Sequence, residues 1–344
     1  MAYYFKVHLL KKSDMRGKYL LLLLSIYNVL LLTSCKNDDE EDKIGNWVRV
    51  SDLDGKPRSN AASFSLGGKG YLTGGYDGED YYNDLWEYNP DLNSWTQKAS
   101  LPGAKRSSAV AFSSTSKGYV GTGYDGLNKL KDFWQYNPNT NTWVQIEDFP
   151  GTARYAAIAF GIDQKGYVGT GYDGNELKDF YKYDESTNTW SQIISLGGSK
   201  RRDAGVFVIN NIAYVGFGSN NGSLVSDFWA FDPTNETWTR KEDTSDDEDD
   251  DEGSQNCTST AAFAINGKGY IATGSISGVS NTTWEYNPLT DFWTQKNNFE
   301  GTARESACAF SINNRGFVVS GNSGSLYFDD IWELKPNEEL NEND

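Results

Sequence analysis

GTGYDG occupies residues 121–126 and returns unchanged at 169–174. Its glycines have the G-x-G-x-x-G spacing of a dinucleotide-binding turn. That turn requires a helix opening at the third glycine, so that a pyrophosphate can sit at its N-terminus. Gly126 instead leads into LNKLKDFWQYNPNTNTW, and Gly174 into NELKDFYKYDESTNTW. Both run quickly into aromatic alternation and an Asn/Thr turn, which are strand and hairpin signals. The stretch is a turn in a repeat, and no dinucleotide cofactor is expected.

Aligned on the residue before each apolar stretch, six units begin at Arg58, Arg106, Arg154, Arg201, Cys257 and Arg304, in steps of 48, 48, 47, 56 and 47 residues. Six residues on stands a phenylalanine (Phe64, Phe112, Phe160, Phe207, Phe263, Phe310). Thirteen on stands an aromatic (Tyr71, Tyr119, Tyr167, Tyr214, Tyr270, Phe317), followed by a small-Gly pair. An aromatic in the third strand comes next (Trp86, Trp134, Tyr181, Trp229, Trp284, Trp332), and a final tryptophan opens a fourth. Four short strands per unit of 40–50 residues mean propeller blades.

The final tryptophan sets the count. Trp95, Trp143, Trp190 and Trp293 each precede the next unit by 11 residues, and Trp47 precedes Arg58 by the same 11 with no full unit before it. The sixth unit stops after its third strand, IWELKP. Residues 47–50 are therefore predicted to supply the outer strand of blade six, closing the ring and removing open edges. The fold class is all-β, a six-bladed propeller. The sequence divides into 1–34, 35–46, 47–335 for the propeller with an acidic insertion at 241–256, and an acidic tail at 336–344.

Blade two resembles a kelch repeat: Arg106, AVAF, Gly118-Tyr119, Gly123, the Tyr124-Asp125-Gly126 loop, Trp134, Tyr136-Asn137-Pro138 and Trp143. The likeness covers 47–335. It departs at the usual Gly-Gly doublet, kept only as Gly74-Gly75, where the other blades have Thr122, Thr170, Phe217, Thr273 and Ser320 in place of the first glycine. The resemblance brings in galactose oxidase, whose copper site needs histidine. It also brings in a sialic-acid mutarotase that needs no metal.

The N-terminus reads as a lipoprotein leader. Lys6, Lys11, Lys12, Arg16 and Lys18 precede the apolar run YLLLLLSIYNVLLL, too short for a span of roughly 20 residues. Leu32-Thr33-Ser34-Cys35 resembles a lipobox, so Cys35 is the expected lipidation site. KNDDEED behind it resembles the acidic export signal of surface lipoproteins in Bacteroidetes-type bacteria. Cleavage before Cys35 would remove His8, the one histidine, and move the net charge from −17 to −21. Without histidine, copper oxidase chemistry, Ser-His-Asp and Cys-His systems and histidine-based zinc sites are excluded. The acidity disfavours nucleic acid and anionic membrane surfaces. The expected place is the bacterial outer membrane, held by the lipid alone, as a monomer.

Three further features read as structural. The acidic run KEDTSDDEDDDEG at 241–253 lacks a glycine where a calcium loop needs one, at Glu248. Cys257 and Cys308 differ by four repeat positions, roughly 13 Å along a strand, so free thiols are expected. Asp84, Asp132, Asp179, Asp227 and Asp330 recur two residues before the third-strand aromatic and are expected to bond loop amides.

One face carries the candidate binding residues. The links from fourth strand to next blade hold Arg58, Arg106, Arg154, Arg201 and Arg304. The links from second to third strand hold Tyr76-Asp77-Gly78, Tyr124-Asp125-Gly126 and Tyr172-Asp173-Gly174. Such arginines and tyrosines can bond anions bidentately and stack on sugar or peptide planes. In kelch domains that bind acidic peptides, arginines at the matching position do this. The same arginines read equally as bridges to carboxylates within the blades, and Asp-Gly is a turn signal in itself. The expected function is recognition of a glycan or protein ligand through Arg58, Arg106, Arg154, Arg201, Arg304, Tyr76, Tyr124, Tyr172, Asp77, Asp125 and Asp173, centred on blades one to three. The alternative is a carbohydrate-active enzyme of the sialic-acid mutarotase kind. No catalytic residue is assigned, and no metal or cofactor is expected.

Overall fold

A computed structural model describes residues 43–242 and 256–341; the leader, Cys35, most of the acidic insertion and the last three residues lie outside them. Six four-stranded antiparallel sheets follow one another along the chain. Blade one is Ala62–Leu66, Lys69–Thr73, Leu85–Asn89 and Ser94–Lys98, paired in sequence order. Blade two starts at Val110–Ser113, blade three at Ile158–Ile162, blade four at Gly205–Ile209 and blade five at Ala261–Ile265. Blade six starts at Cys308–Ile312. The six-bladed propeller expected from the repeat is the observed fold.

The burial pattern of each strand states its place. First strands alternate, with small side chains such as Ser63, Ser65, Ala111 and Ser113 on the central channel and Phe64 or Phe112 turned into the interblade core. Second strands are buried on both faces, as a strand between packed sheets must be. Fourth strands lie outermost and are largely exposed.

Blades are joined chiefly by aromatic packing. Tyr119 of blade two meets Tyr183 of blade three with ring centroids 5.4 Å apart, and Tyr167 of blade three meets Phe231 of blade four at 5.3 Å. The Phe112 ring also lies over Gly166 of the next blade, where a Cβ would come within 2.0 Å of it. That contact explains the Lys/Arg-Gly-aromatic opening of the second strand in five blades better than any turn requirement, since Gly166 sits within the strand; blade four has Ala213 at this position.

Two closed circuits of main-chain hydrogen bonds add to this. In the inner one, Asn60, Ser108, Ala156, Asp203, Ser259 and Ser306 each donate an amide to the preceding member's carbonyl, at 2.7–3.0 Å, and Asn60 completes the circle on Ser306. All six have φ between +50° and +56°. In the outer one, Gly75, Gly123, Gly171, Gly218, Gly274 and Gly321 each donate to the carbonyl of the following blade's Arg106, Arg154, Arg201, Cys257, Arg304 or Arg58, at 2.8–2.9 Å. The circuits run in opposite senses, so every blade is tied to both neighbours through backbone alone.

The ring closes as the tryptophan spacing requires. Asn46–Asp52 pairs antiparallel with Asp330–Lys335, Trp47 opposite Leu334, with a bulge between Arg49 and Ser51. Trp47 is fully buried against Phe263 and Phe299 and donates its indole N–H to Thr283 Oγ1 at 3.2 Å. Cys257 and Cys308 are free and buried, their thiols pushed up by burial to about 12 and about 11, so neither offers a thiolate near neutrality.

Trp47→Ala should cost about 3–5 kcal/mol, the usual range for removing a buried Trp, because it opens a cavity at the seam where the two chain ends meet. A urea titration followed by tryptophan fluorescence measures it; a loss below about 1 kcal/mol would mean the seam does not carry the ring.

Candidate ligand-binding face

The five arginines do not reach ligand space. Arg58, Arg106, Arg154, Arg201 and Arg304 are at most 1% exposed. Arg106 donates Nη1 and Nη2 to the two carboxylate oxygens of Asp132 at 2.8 and 2.7 Å, Nε to Ala104 O at 2.9 Å and Nη1 also to Thr122 O at 3.0 Å. Arg58 does the same with Asp84, Arg154 with Asp179 and Arg304 with Asp330. Arg201 reaches Asp227 through Nη2 and the carbonyl of Phe217 through Nη1. Their donors are spent inside the blade, so the assignment of these residues as ligand contacts is corrected: each clamps the loop entering its blade to the loop before the third strand. The aspartates hold the arginine, and in blades one, two and six the third-strand tryptophan N–H; of the loop amides expected of them, Asp227 accepts that of Ser199 at 3.0 Å.

The Tyr-Asp-Gly tips do lie on the open face. Asp77 accepts the amides of Glu79 and Asp80 at 2.9 and 2.7 Å, Asp125 those of Leu127 and Asn128 at 2.8 and 2.6 Å, and Asp173 that of Asn175 at 3.1 Å. These are Asx turns, so the three carboxylates shape the loops. Tyr76 and Tyr124 donate their hydroxyls to Gly78 O and Gly126 O at 2.6 and 2.8 Å, which fixes the rings while leaving them half-buried.

The tyrosines form one continuous arc. Tyr327 of blade six is followed by Tyr76, Tyr81, Tyr124, Tyr155 and Tyr172, each ring centroid 4.7–6.4 Å from the next. Bridges in every blade pair the residue after the arginine with the loop position of Tyr76. At that loop position blades four and five carry Ser219 and Ser275, so the arc leaves those two blades uncovered. Burial raises the hydroxyls of Tyr81, Tyr155 and Tyr327 above their ordinary value, so they stay protonated near neutrality. Exposed Leu127 and Leu326 stand at loop tips beside it.

Arg202, one residue past the clamp Arg201, ends the arc. Its guanidinium lies 4.9 Å over the Tyr172 ring and stands 3.7 Å from Asp203 and 3.8 Å from Glu176. Its side chain is 32% exposed, unlike those of the clamps. Beside it the inner amide circuit frames a mouth of about 150 Å³, lined by Asn60, Ser108, Ala156, Asp203, Ser259 and Ser306. Burial pushes the Asp203 carboxyl up to about 6, with Glu305 adding to the shift and Arg202 opposing it. Below the mouth a cavity of about 370 Å³ is walled by alanine, serine and valine side chains.

Asp132→Ala would leave the buried Arg106 guanidinium unpaired, at an expected cost of about 3–5 kcal/mol. Arg106→Met should cost less, since Asp132, 24% exposed, can turn to water. Burial alone would raise the carboxyls of Asp132 and Asp330, but the guanidinium hydrogen bonds and charges outweigh it and hold both below the ordinary range. A depressed folded value contributes stability above the unfolded value near 4, lost as pH falls through the folded value. Acid unfolding monitored by circular dichroism should therefore begin below about pH 4 and shift upward in Arg106→Met.

No curated protein sequence matches the chain. The KLHDC2/KLHL20/DRC7 Kelch-repeats domain model matches residues 43–152. Among solved structures, that titled "Structure of YjhT" is similar, with a TM-score of 0.68 at 16% identity, over 82% of this chain and 96% of that one. That likeness is one of fold. With the clamps, the glycine turns and the closing strand in place, the chain is a six-bladed β-propeller whose residues 43–152 match a kelch-repeat model.

Proposed function

We propose that the chain is a cell-envelope lipoprotein whose propeller recognises a glycan or protein ligand on the tyrosine-bearing face. The observation that carries this reading is the arc of six half-buried tyrosines confined to blades six, one, two and three. Tyrosine supplies large, rigid contact area at low entropic cost and is enriched in recognition surfaces. Side chains with purely structural work recur in nearly every blade, as the arginine clamps do; the arc does not. The lipid anchor rests on Leu32-Thr33-Ser34-Cys35 and the acidic tether behind it.

A second reading, a carbohydrate-active enzyme of the sialic-acid mutarotase kind, is favoured by Asp203. A carboxyl raised to about 6 at a cavity mouth can exchange a proton near neutrality. An NMR assay of anomer exchange decides it: exchange abolished in Asp203→Asn supports catalysis, and wild-type rates equal to buffer dismiss it.

Tyr81→Ala with Tyr124→Ala should weaken binding to any ligand found on a glycan array or by partner capture by about tenfold or more, while the melting temperature moves by no more than about 2 °C. Unchanged binding would remove the arc from the site. Cys35→Ala should release the protein from the membrane fraction or leave it unprocessed, since stable anchoring requires acyl chains. Normal processing and retention would refute the anchor.

A further inference from the structure

We infer that the ligand is basic: a lysine- or arginine-bearing polypeptide segment that lies along the tyrosine arc and places one ammonium at the channel mouth beside Asp203. This rests on the recognition reading and reverses the sign of charge the sequence suggested, because the arginines that would have held an anion are consumed.

The charge left facing the mouth is negative. Asp203 lines it, Glu305 is near enough to raise the Asp203 carboxyl, and Glu176 stands 3.8 Å from Arg202, the cation beside them. Arg202 approaches both Glu176 and Asp203 no closer than 3.7 Å, outside hydrogen-bond range, so neither carboxylate is locked to it as Asp132 is to Arg106. The aromatic part of the face suits the same sign. Ring faces carry negative charge density and attract cations within about 6 Å of the centroid. The protein already uses Tyr172 in this way, with the Arg202 guanidinium at 4.9 Å and Lys129 Nζ at 5.8 Å from its centroid. An incoming ammonium would meet Tyr76, Tyr81 and Tyr124 on the same terms.

Size selects a polypeptide. Six rings spaced 4.7–6.4 Å apart match an extended segment of roughly eight residues at about 3.3 Å each. The mouth, at about 150 Å³, is below the ~300 Å³ of the smallest usual ligand pockets. A slender lysine tip needs no more. Exposed Leu127 and Leu326 at the rim add apolar contact that a protein partner can cover.

The test uses the full chain in detergent at pH 7.5, where Asp203 is ionised, and three probes: an octapeptide alternating lysine and glycine, its glutamate counterpart, and a glucosamine trimer. The lysine peptide should bind, with affinity falling as salt rises, and the glutamate peptide should not. The charge-removing pair Asp203→Asn and Glu305→Gln should weaken the lysine peptide by about tenfold, as should Tyr124→Ala, each with wild-type melting; asparagine tolerates the left-handed backbone of Asp203. Lysine-peptide binding that neither variant weakens is diffuse attraction to an acidic protein and overturns the inference. Tighter binding of the glutamate peptide, lost in Arg202→Gln, overturns it while leaving recognition on this face intact. Binding of the amino sugar alone overturns the polypeptide assignment. If nothing binds and tyrosine variants affect no array ligand, the recognition reading falls as well.

Discussion

The fork of Arg106 on Asp132 fixes more of this molecule than its own two residues. Its Nε and Nη1 hold the carbonyls of Ala104 and Thr122, so one side chain sets the path of the loop entering the blade and of the turn leaving the second strand. With that path set, the Arg106 carbonyl faces Gly75 of the preceding blade, and two residues on Ser108 turns its amide to Asn60. The clamp thus aims both circuits of interblade hydrogen bonds. Adjacent blades pack face to face, and these bonds join them together with the aromatic contacts and with bridges such as Leu130 to Arg154 and Leu177 to Arg201. A buried ion pair is weak evidence for net stability, but a fork of this kind specifies geometry, and repeated geometry is what lets six blades close without strain.

Blade five is the exception that tests the point. Cys257 stands in the arginine position and Thr282 in the aspartate position, so the clamp is absent as a pair. Both circuits persist there: Gly218 still bonds the Cys257 carbonyl and Ser259 the Asp203 carbonyl. What replaces the fork is packing. Phe217 occupies the left-handed position before Gly218, at φ +64°, a costly conformation for a bulky residue. Its ring meets Trp293 at 5.6 Å and Phe228 at 5.9 Å in a core cluster that also takes in Cys257. The threonines and serine at this position elsewhere accept the same backbone without that reward, and their hydroxyls lack a hydrogen-bond partner.

The fold was almost wholly legible because spacing survives in sequence. Trp47 at 11 residues before Arg58 announced the closing strand, and the ladder to Leu334 is its direct consequence. The role of the arginines was not legible from any one blade, since a cation near carboxylates reads alike as a clamp and as an anion site. The deciding signal lay between blades: Arg58, Arg106, Arg201 and Arg304 each have an aspartate 26 residues on, Arg154 has one at 25, and blade five loses both together. Joint loss marks partners. Arg202 escaped notice for the opposite reason, standing beside a residue that fitted the repeat.

In a molecule built from one unit six times, a residue that obeys the repeat serves the unit. The amide circuits run through all six blades, and the Phe-on-Gly contacts and the clamps through five each, because the blades must meet their neighbours in the same way. A ligand has no such symmetry, and the groups that meet it have no reason to repeat. The position after each arginine varies, running Ser59, Ser107, Tyr155, Arg202, Thr258, Glu305, because its main chain makes the bridge; the two serines are buried there, and the other four side chains are partly exposed. The position across the bridge runs Tyr76, Tyr124, Tyr172, Ser219, Ser275, Asn322 under the same freedom. Tyrosines collected on one side of these two rows, and carboxylates around the mouth beside them, give the face a direction that the scaffold lacks. That direction, carried by side chains on a backbone held rigid by its own circuits, separates a binding surface from the propeller that presents it.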